Sequence, residues 1–232
     1  MKCLPKGPMQ IARENRQGEV LHEWESTVFS LSDHLVCHSC HHGWMHDLET
    51  KTQKILPALI HGDRHIFTDG DRQTLALWAA KTAITYRASQ AKYPDTDKRI
   101  LTIPRQWLDL FYRAIPKPPP CLTVNLALNG AAERFHFLPH PFKLQGKHII
   151  GELDVDRITL VFDHLVMQVV TAYDFQGFYS ASPLIAEAGR AVHRIWPDTS
   201  PIMGAVSFPP PMAMSGEDVW TLAHGNVNTA AL

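Results

Sequence analysis

The pair Cys37 and Cys40 constrains this chain more than any other feature of its sequence. Two cysteines separated by two residues form a tight turn, from which both thiolates can reach one tetrahedral Zn²⁺ at about 2.3 Å. A complete knuckle needs a second such pair, yet the other cysteines, Cys3 and Cys121, are each isolated in the sequence. The alternative is a redox-active pair, but no parallel βαβ unit is predicted after Cys40. The spacing therefore favours half of a zinc site.

Histidines around these cysteines extend the set of candidate ligands, and they are His22, His34, His38, His41, His42 and His46. His41 directly follows the second cysteine and is a candidate metal ligand or a base beside a metal. His34 could complete a Cys₂His₂-like zinc site. For His22 the alternative is a strand residue without a chemical role, and His42 and His46 are expected to be exposed at the start of a helix. Most of the fourteen histidines are expected to be solvated or hydrogen-bonded.

Composition limits the classes of protein to which this chain can belong. Its 232 residues fit one elaborated domain or two small ones, and 45% hydrophobic content is enough to bury a core. The net charge of −1 gives no general attraction to nucleic acid. We predict a cytoplasmic protein without a membrane segment, because no apolar run approaches the roughly 18 residues of a membrane span and the start lacks a signal-peptide core. Four cysteines without regular pairing also suit a reducing compartment.

The first half of the chain is predicted to contain two short strands and then helices. Residues 1–20 show no sustained period and are expected to form an arm, whereas residues 20–36 form a hairpin that leads into the cysteines. One helix is expected between Gly43 and Gly62, with Pro57 distorting its last turn. A second helix begins at Thr68 or Asp69 and carries apolar residues on one face. A third begins near residue 104 and ends before the proline run at 116–120, which is the candidate domain boundary.

The second half is predicted to form an antiparallel sheet. Candidate strands span residues 122–128, 134–138, 149–155 and 158–170, and residues 166–170 are expected to be the central part of the sheet. Asn129 and Gly130 favour a hairpin turn between the first two strands, and residues 154–157 a turn between the last two. A helix is expected at 183–195. Ser215 and Asp218 resemble a capping box for a last short helix.

These patterns together predict an α+β fold. A small ββα-like zinc knuckle leads into helices, and an antiparallel sheet with flanking helices follows. The predicted domain organisation is an N-terminal arm at residues 1–20, the knuckle and helical region at 21–115, and the β-rich region with terminal helices at 121–232.

Residues 37–49, with the sequence CHSCHHGWMHDLE, resemble the second half of the ββα-metal finger of HNH endonuclease-like proteins. The similar proteins form a bacterial and phage subgroup, and the likeness covers residues 24–86, with further similar segments at 55–62 and 75–83. The first half of that finger, another CxxC and a Glu-His or Asp-His pair before a proline, has no counterpart upstream of Cys37. Either that half precedes this sequence or this member of the subgroup has lost it.

The resemblance implies a metal-dependent phosphodiesterase that acts on DNA. By position, Cys37 and Cys40 would bind a structural Zn²⁺, and His41 would hold a second divalent cation such as Mg²⁺ or Mn²⁺ against the scissile phosphate. His22 would be the base that activates water. If the site is incomplete, the alternative is a catalytically silent zinc-knuckle protein that binds another protein or nucleic acid. Both alternatives require zinc.

Overall fold

The fold was analysed in a computed structural model, which describes residues 9–14, 20–26, 36–90, 118, 122–130, 136–139, 142–144, 153–173, 178–179, 191–196 and 206–224. The chain divides into two compact units, residues 1–34 and 35–232. In the first unit, strand β1 (Met9–Glu14) pairs antiparallel with strand β2 (Val20–Ser26). The strand predicted around His22 is confirmed as β2. β1 lies within the N-terminal arm predicted at residues 1–20, and pairing with β2 supplies an order that the local sequence pattern does not indicate.

The second unit begins with short helical segments around the cysteines. Helix α1 (His38–Cys40), a π-helical turn (His41–Met45), helix α2 (His46–Thr52) and helix α3 (Leu56–Ile60) follow one another. The single helix predicted here is therefore wrong. The chain leaves helical angles at Gly43 (φ −95°, ψ −120°), and Pro57 lies in the first turn of α3 rather than distorting a last turn. A first-turn proline is tolerated because its missing N–H has no intrahelical partner.

Helix α4 (Asp69–Gln90) follows strand β3 (His65–Ile66) and confirms the predicted second helix. Thr68 caps it: the Asp71 N–H donates to Thr68 Oγ1 at 3.1 Å, and the Thr68 N–H donates to Asp71 Oδ2 at 3.0 Å. Lys81 of α4 forms an ion pair with Glu49 of α2, so the two helices lie side by side. The predicted helix from residue 104 lies outside the described residues.

An antiparallel sheet dominates the rest of the second unit. The described elements of this part of the chain, in sequence order, are β4 (Leu122–Asn129), β5 (His136–Pro139), β6 (Phe142–Leu144), β7 (Leu153–Phe162), β8 (Leu165–Tyr173), β9 (Phe178–Tyr179), β10 (Val192–Trp196), β11 (Ser207–Phe208), β12 (Ala213–Met214) and helix α5 (Gly216–His224). The strand order is β10-β4-β8-β7-β5, so the central position predicted for residues 166–170 is confirmed. β12 adds a short parallel pairing to β4, whereas β11 pairs with β3. The predicted α+β class is confirmed.

Two predicted turns are wrong. Asn129 and Gly130 do not connect a hairpin, because β4 pairs with β8 and β10 whereas β5 pairs with β7. The turn between β7 and β8 lies at Asp163 and His164, not at residues 154–157, which are inside β7. Asp163 adopts φ +53°, a left-handed conformation that aspartate tolerates better than most residues.

His164 fastens this turn to two other parts of the chain. Its N–H donates to the Ile60 carbonyl at 3.1 Å, and its carbonyl accepts from the Asn129 N–H at 2.8 Å. The His164 Nδ1 also lies 3.0 Å from the Asn129 carbonyl. Gly62 (φ +77°) passes so close that an added Cβ would lie 3.4 Å from the His164 side chain. The end of α3, the end of β4 and the β7–β8 turn therefore meet at one histidine.

Of the elements that follow β9, the sequence predicted one correctly and one wrongly. The helix expected at 183–195 is wrong at 192–195, which form β10 and pair with β4 from Val192 opposite Ala127. The capping box before α5 is confirmed, because the Asp218 N–H donates to Ser215 Oγ at 3.1 Å and the Ser215 N–H donates to Asp218 Oδ2 at 2.8 Å. Among the described helices, none has the length and apolar composition needed to cross a membrane.

The two faces of the sheet bury different clusters. On one face, alternate residues of β4, β7 and β8 pack with residues of α2, α3 and α4 in one core that includes Leu59, Trp78, Val124, Leu160 and Met167. On the opposite face, Ala127, Val161 and Val166 pack with residues around α5. The helices and the sheet therefore share one core within the described part of residues 35–232. The boundary placed between residues 115 and 121 stays a prediction.

Candidate metal-binding turn

Cys37 and Cys40 lie on one turn at the surface, which we call the cysteine turn (residues 37–40). Cys37 has extended backbone angles (φ −64°, ψ 152°) and immediately precedes α1, and Cys40 ends that helix. The His41 N–H donates to the Cys37 carbonyl at 3.0 Å, which closes the turn. Cys37 is exposed, Cys40 is half-buried, and both are free thiols. The two cysteines therefore lie on one short, hydrogen-bonded turn, as their spacing in the sequence predicted.

Ser39 makes the first thiol unusually acidic. Its hydroxyl lies 3.2 Å from the Cys37 Sγ and stabilises the thiolate. This hydrogen bond, with further contributions from the backbone and the thiol of Cys40, lowers the pKa of Cys37 to about 7. The pKa of Cys40 is raised, because its thiol donates to Cys37 and its side chain is partly removed from water. A thiolate is the form of cysteine that binds a metal, and a pKa of about 7 leaves part of Cys37 in that form at neutral pH.

Three histidine rings, one within the cysteine turn and two directly after it, lie close together. The ring centroids of His38 and His42 are 4.1 Å apart, and those of His41 and His42 are 4.8 Å apart. The positive charge of His38 is the main cause that lowers the pKa of His42, with smaller effects of burial and of His41 and His46. A lowered pKa favours the neutral imidazole, which is the form that binds a metal. His42 is exposed as predicted.

Sequence reasoning included His38 among six candidate histidines but gave it no particular role. The available signal was its spacing, because residues four apart on a helix lie on the same face. Two histidines at that spacing also form the ligand pair of helical zinc sites. The His38 and His42 rings do meet across one helical turn.

The cysteine turn is joined to the core through the residues that follow it. Gly43 interrupts the helical path, and an added Cβ there would meet nothing within 4 Å. Trp44 packs against the core cluster and Leu48 belongs to it. The chemical groups therefore lie on an exposed turn, and their anchor begins one residue after Gly43.

The described residues bring together only part of a zinc site. Cys37 and Cys40 supply soft thiolate ligands suited to Zn²⁺. However, no group of three or more His, Cys, Asp or Glu side chains that could hold a metal is found among the described residues. His34 lies outside the described residues. His22 lies in β2 opposite Arg13, and His41 is exposed at the start of the π-helical turn.

Comparison of the chain with protein-family models, with curated proteins and with solved structures found no match.

Proposed function

We propose that this protein is an HNH-like, metal-dependent nucleic-acid phosphodiesterase built around a zinc-binding cysteine turn. The observation that carries the proposal is the pairing of two thiols in one turn, with the pKa of Cys37 lowered to about 7. The arrangement suits metal binding at neutral pH. The likeness of residues 37–49 to an HNH finger supplies the reaction class, and DNA is the proposed substrate in the cytoplasm.

The proposed roles follow from the chemistry of each side chain. Cys37 and Cys40 hold a structural Zn²⁺, with His34 as a further proposed ligand, and this fixes the conformation of the turn. His41 presents an imidazole nitrogen to a second divalent site. When bound there, Mg²⁺ or Mn²⁺ would polarise the phosphoryl group of the substrate. His22 accepts a proton from the attacking water, which is the role of a general base.

A binding module without catalysis is the second candidate function. The observation that favours it is that the described residues place no third ligand beside Cys37 and Cys40. A single structural zinc completed from elsewhere would then support a surface that binds a protein or a nucleic acid. The two candidates share the zinc and differ only in the second, catalytic metal site.

Metal content is the first test of the proposal. We expect about one zinc per chain in the wild type by elemental analysis, and loss of that zinc in Cys37→Ser, because serine cannot replace a thiolate ligand. Cys121→Ser is the matched control and should keep its zinc, since Cys121 is isolated in the sequence. Absence of zinc from the wild type would contradict both candidate functions.

Plasmid cleavage in Mg²⁺ or Mn²⁺ separates the two candidates. For the zinc-loaded protein we expect cleavage that requires the added ion and falls by about a hundredfold in His41→Ala and in His22→Ala. His61→Ala, which alters an exposed histidine after α3, is the control and should cleave normally. A zinc-loaded wild type that cleaves nothing with either ion would instead support the binding module.

A further inference from the structure

His38 and His42, which we call the imidazole pair, have no role in the proposed function. The two residues are four apart in the sequence, and both side chains are exposed. Their ring centroids lie 4.1 Å apart, with an angle of 39° between the ring planes. Imidazole is the commonest metal ligand among protein side chains, so this contact brings two candidate ligands together at the surface.

The backbone fixes the spacing of the two rings. Cys40 (φ −69°, ψ −42°) and His41 (φ −65°, ψ −47°) lie between them and have right-handed helical angles. Residues four apart on a helical turn project from the same side, one above the other. The two rings are therefore brought together before any ion binds, and binding has to order little more than their side-chain torsions.

The neighbouring histidines do not form an equivalent pair. His46 is also four residues from His42, but Gly43 between them leaves helical angles (φ −95°, ψ −120°), so the two need not project from one side. The rings of His41 and His42 meet edge to face, with 82° between their planes. An imidazole binds an ion through a lone pair in its ring plane, and an edge-to-face contact does not direct both lone pairs to one point.

We propose that the imidazole pair binds one divalent transition-metal ion of the zinc and nickel class. One ring nitrogen of each histidine coordinates the ion, and water occupies its remaining positions. Two histidines four residues apart on a helix hold zinc in the same way in other sites. Because both rings are exposed, the ion reaches them without any opening of the core.

Ligand type determines which ions the imidazole pair selects. Imidazole suits Zn²⁺, Ni²⁺ and Cu²⁺, whereas Mg²⁺ prefers oxygen ligands and Mn²⁺ stands lowest in the order of affinities. The ion therefore differs from the Mg²⁺ or Mn²⁺ proposed for His41. Among the described residues no three candidate ligands form one group, so the imidazole pair is also separate from the thiols of Cys37 and Cys40.

The ion of the imidazole pair is expected to exchange with the solution. Only two protein ligands hold it, whereas a structural zinc normally has four. Dialysis should therefore remove this ion and leave the structural zinc of the proposed function in place. The zinc content expected for the dialysed wild type stays at about one per chain.

Isothermal titration calorimetry with NiCl₂ tests the proposal. The parent protein is the full chain with Cys37→Ser and Cys40→Ser, which removes the thiols from the measurement. We expect its tightest binding event to take up about one Ni²⁺ per chain. His38→Ala and His42→Ala should each weaken that event at least about tenfold, because one imidazole cannot chelate. Combining the two substitutions should cost little more than either alone, since each breaks the same chelate.

His46→Ala is the matched control, because His46 is exposed and equally far from His42 in sequence, across the break at Gly43. It should bind Ni²⁺ as the parent does, and excess Mg²⁺ should not compete. If the thiol-free parent does not fold, the same titration is made on the dialysed, zinc-loaded wild type.

The proposal is overturned if neither of these proteins binds Ni²⁺, or if Mg²⁺ competes equally. It is also overturned if folded His38→Ala and His42→Ala proteins keep the parent affinity, or if His46→Ala loses as much affinity as His42→Ala. DNA cleavage and structural zinc enter none of these results, so failure of this proposal is distinguishable from failure of the proposed function.

Discussion

The cysteine turn and a buried polar face of the sheet both collect polar side chains, but they hold them in opposite surroundings. This polar face is formed by five buried residues of β4, β7 and β8, namely Thr123, Asn125, Arg157, Thr159 and Gln168. Cys37 is exposed and has Ser39 as a neighbour, whereas Thr123 and Thr159 are fully buried. An exposed group can exchange a protein contact for water at little cost, but a buried oxygen has no water to replace a lost partner. The cysteine turn can therefore change its contacts when a metal binds. On the polar face, Gln168 must keep its hydrogen-bond partners for the sheet to remain stable.

Removing an apolar residue next to the polar face should have the largest effect. Leu160 is fully buried in the main core, directly after Thr159 in β7. Leu160→Ala should lower the free energy of unfolding by about 2–5 kcal/mol, because a cavity remains. In the same urea denaturation series, metal-free Cys37→Ser should stay within about 0.5 kcal/mol of metal-free wild type, as expected for an exposed position. Equal losses of unfolding free energy in Leu160→Ala and Cys37→Ser would contradict the difference between the buried sheet and the exposed cysteine turn.

Removing a hydrogen-bonded side chain from the polar face should have the next largest effect on the free energy of unfolding. Gln168→Leu takes away the donor to the Leu222 carbonyl and the neighbour of Asn125. We expect a loss of about 1–3 kcal/mol in the free energy of unfolding, measured by chemical denaturation. Gln53→Leu is the control, because Gln53 is exposed and should change stability by less than about 0.5 kcal/mol. An unchanged Gln168→Leu protein would show that this hydrogen bond is dispensable.

Removing the cap at the start of α5 should have a smaller effect on the free energy of unfolding. Ser215→Ala removes the hydroxyl that caps the helix, and should cost about 1 kcal/mol in unfolding free energy. The pKa of Asp218 is lowered by hydrogen bonds from the Ser215 backbone and hydroxyl. The contribution of the Asp218 carboxylate to folding stability is therefore present above its unfolded-state pKa and is lost as pH falls through its folded-state pKa.

Stability measured against pH should accordingly fall less steeply in acid for Ser215→Ala than for the wild type. Ser215→Thr keeps a hydroxyl and should retain most of the acid dependence. Identical pH profiles for wild type and Ser215→Ala would rule out this capping contribution.

A change in reactivity without a change in stability is expected at the cysteine turn. In reduced, metal-free protein, alkylation of Cys37 should reach half its maximum rate near pH 7, because its pKa is lowered to about 7. Ser39→Ala should move that midpoint upward, since the Ser39 hydroxyl is the largest cause of the lowered pKa. Mass spectrometry can measure Cys37 separately from the other cysteines. A midpoint that is the same in Ser39→Ala and in the Ser39→Thr control would contradict the assigned role of the hydroxyl.

Local patterns in the sequence predicted the elements that depend on local contacts. The caps at Thr68 and Ser215 lie three residues from their partners, so α4 and α5 were predicted correctly. The cysteine turn was likewise predicted from the spacing of Cys37 and Cys40. In each case the physical cause lies within one helical turn of the chain.

Features that depend on distant pairing could not be predicted in this way. Residues 192–195 showed helical spacing but form a strand, because the edge of β4 is available to pair with them. The polar face was also missed, since Asn125 and Gln168 are 43 residues apart in the sequence. Inspection of β4 alone could have indicated it, because Thr123 and Asn125 alternate with the apolar residues at 122, 124 and 126.

The junction at His164 has a consequence for how the chain can be divided. Ile60, Asn129 and His164 are distant in sequence and meet through backbone hydrogen bonds, so this contact forms only after long loops have closed. A fragment ending before the sheet would keep the sequence of α2, α3 and α4 but lose the surface against which they pack. Cutting the chain at its proline run should therefore yield two aggregation-prone pieces rather than two folded ones, and co-expression of both pieces should be needed to recover either.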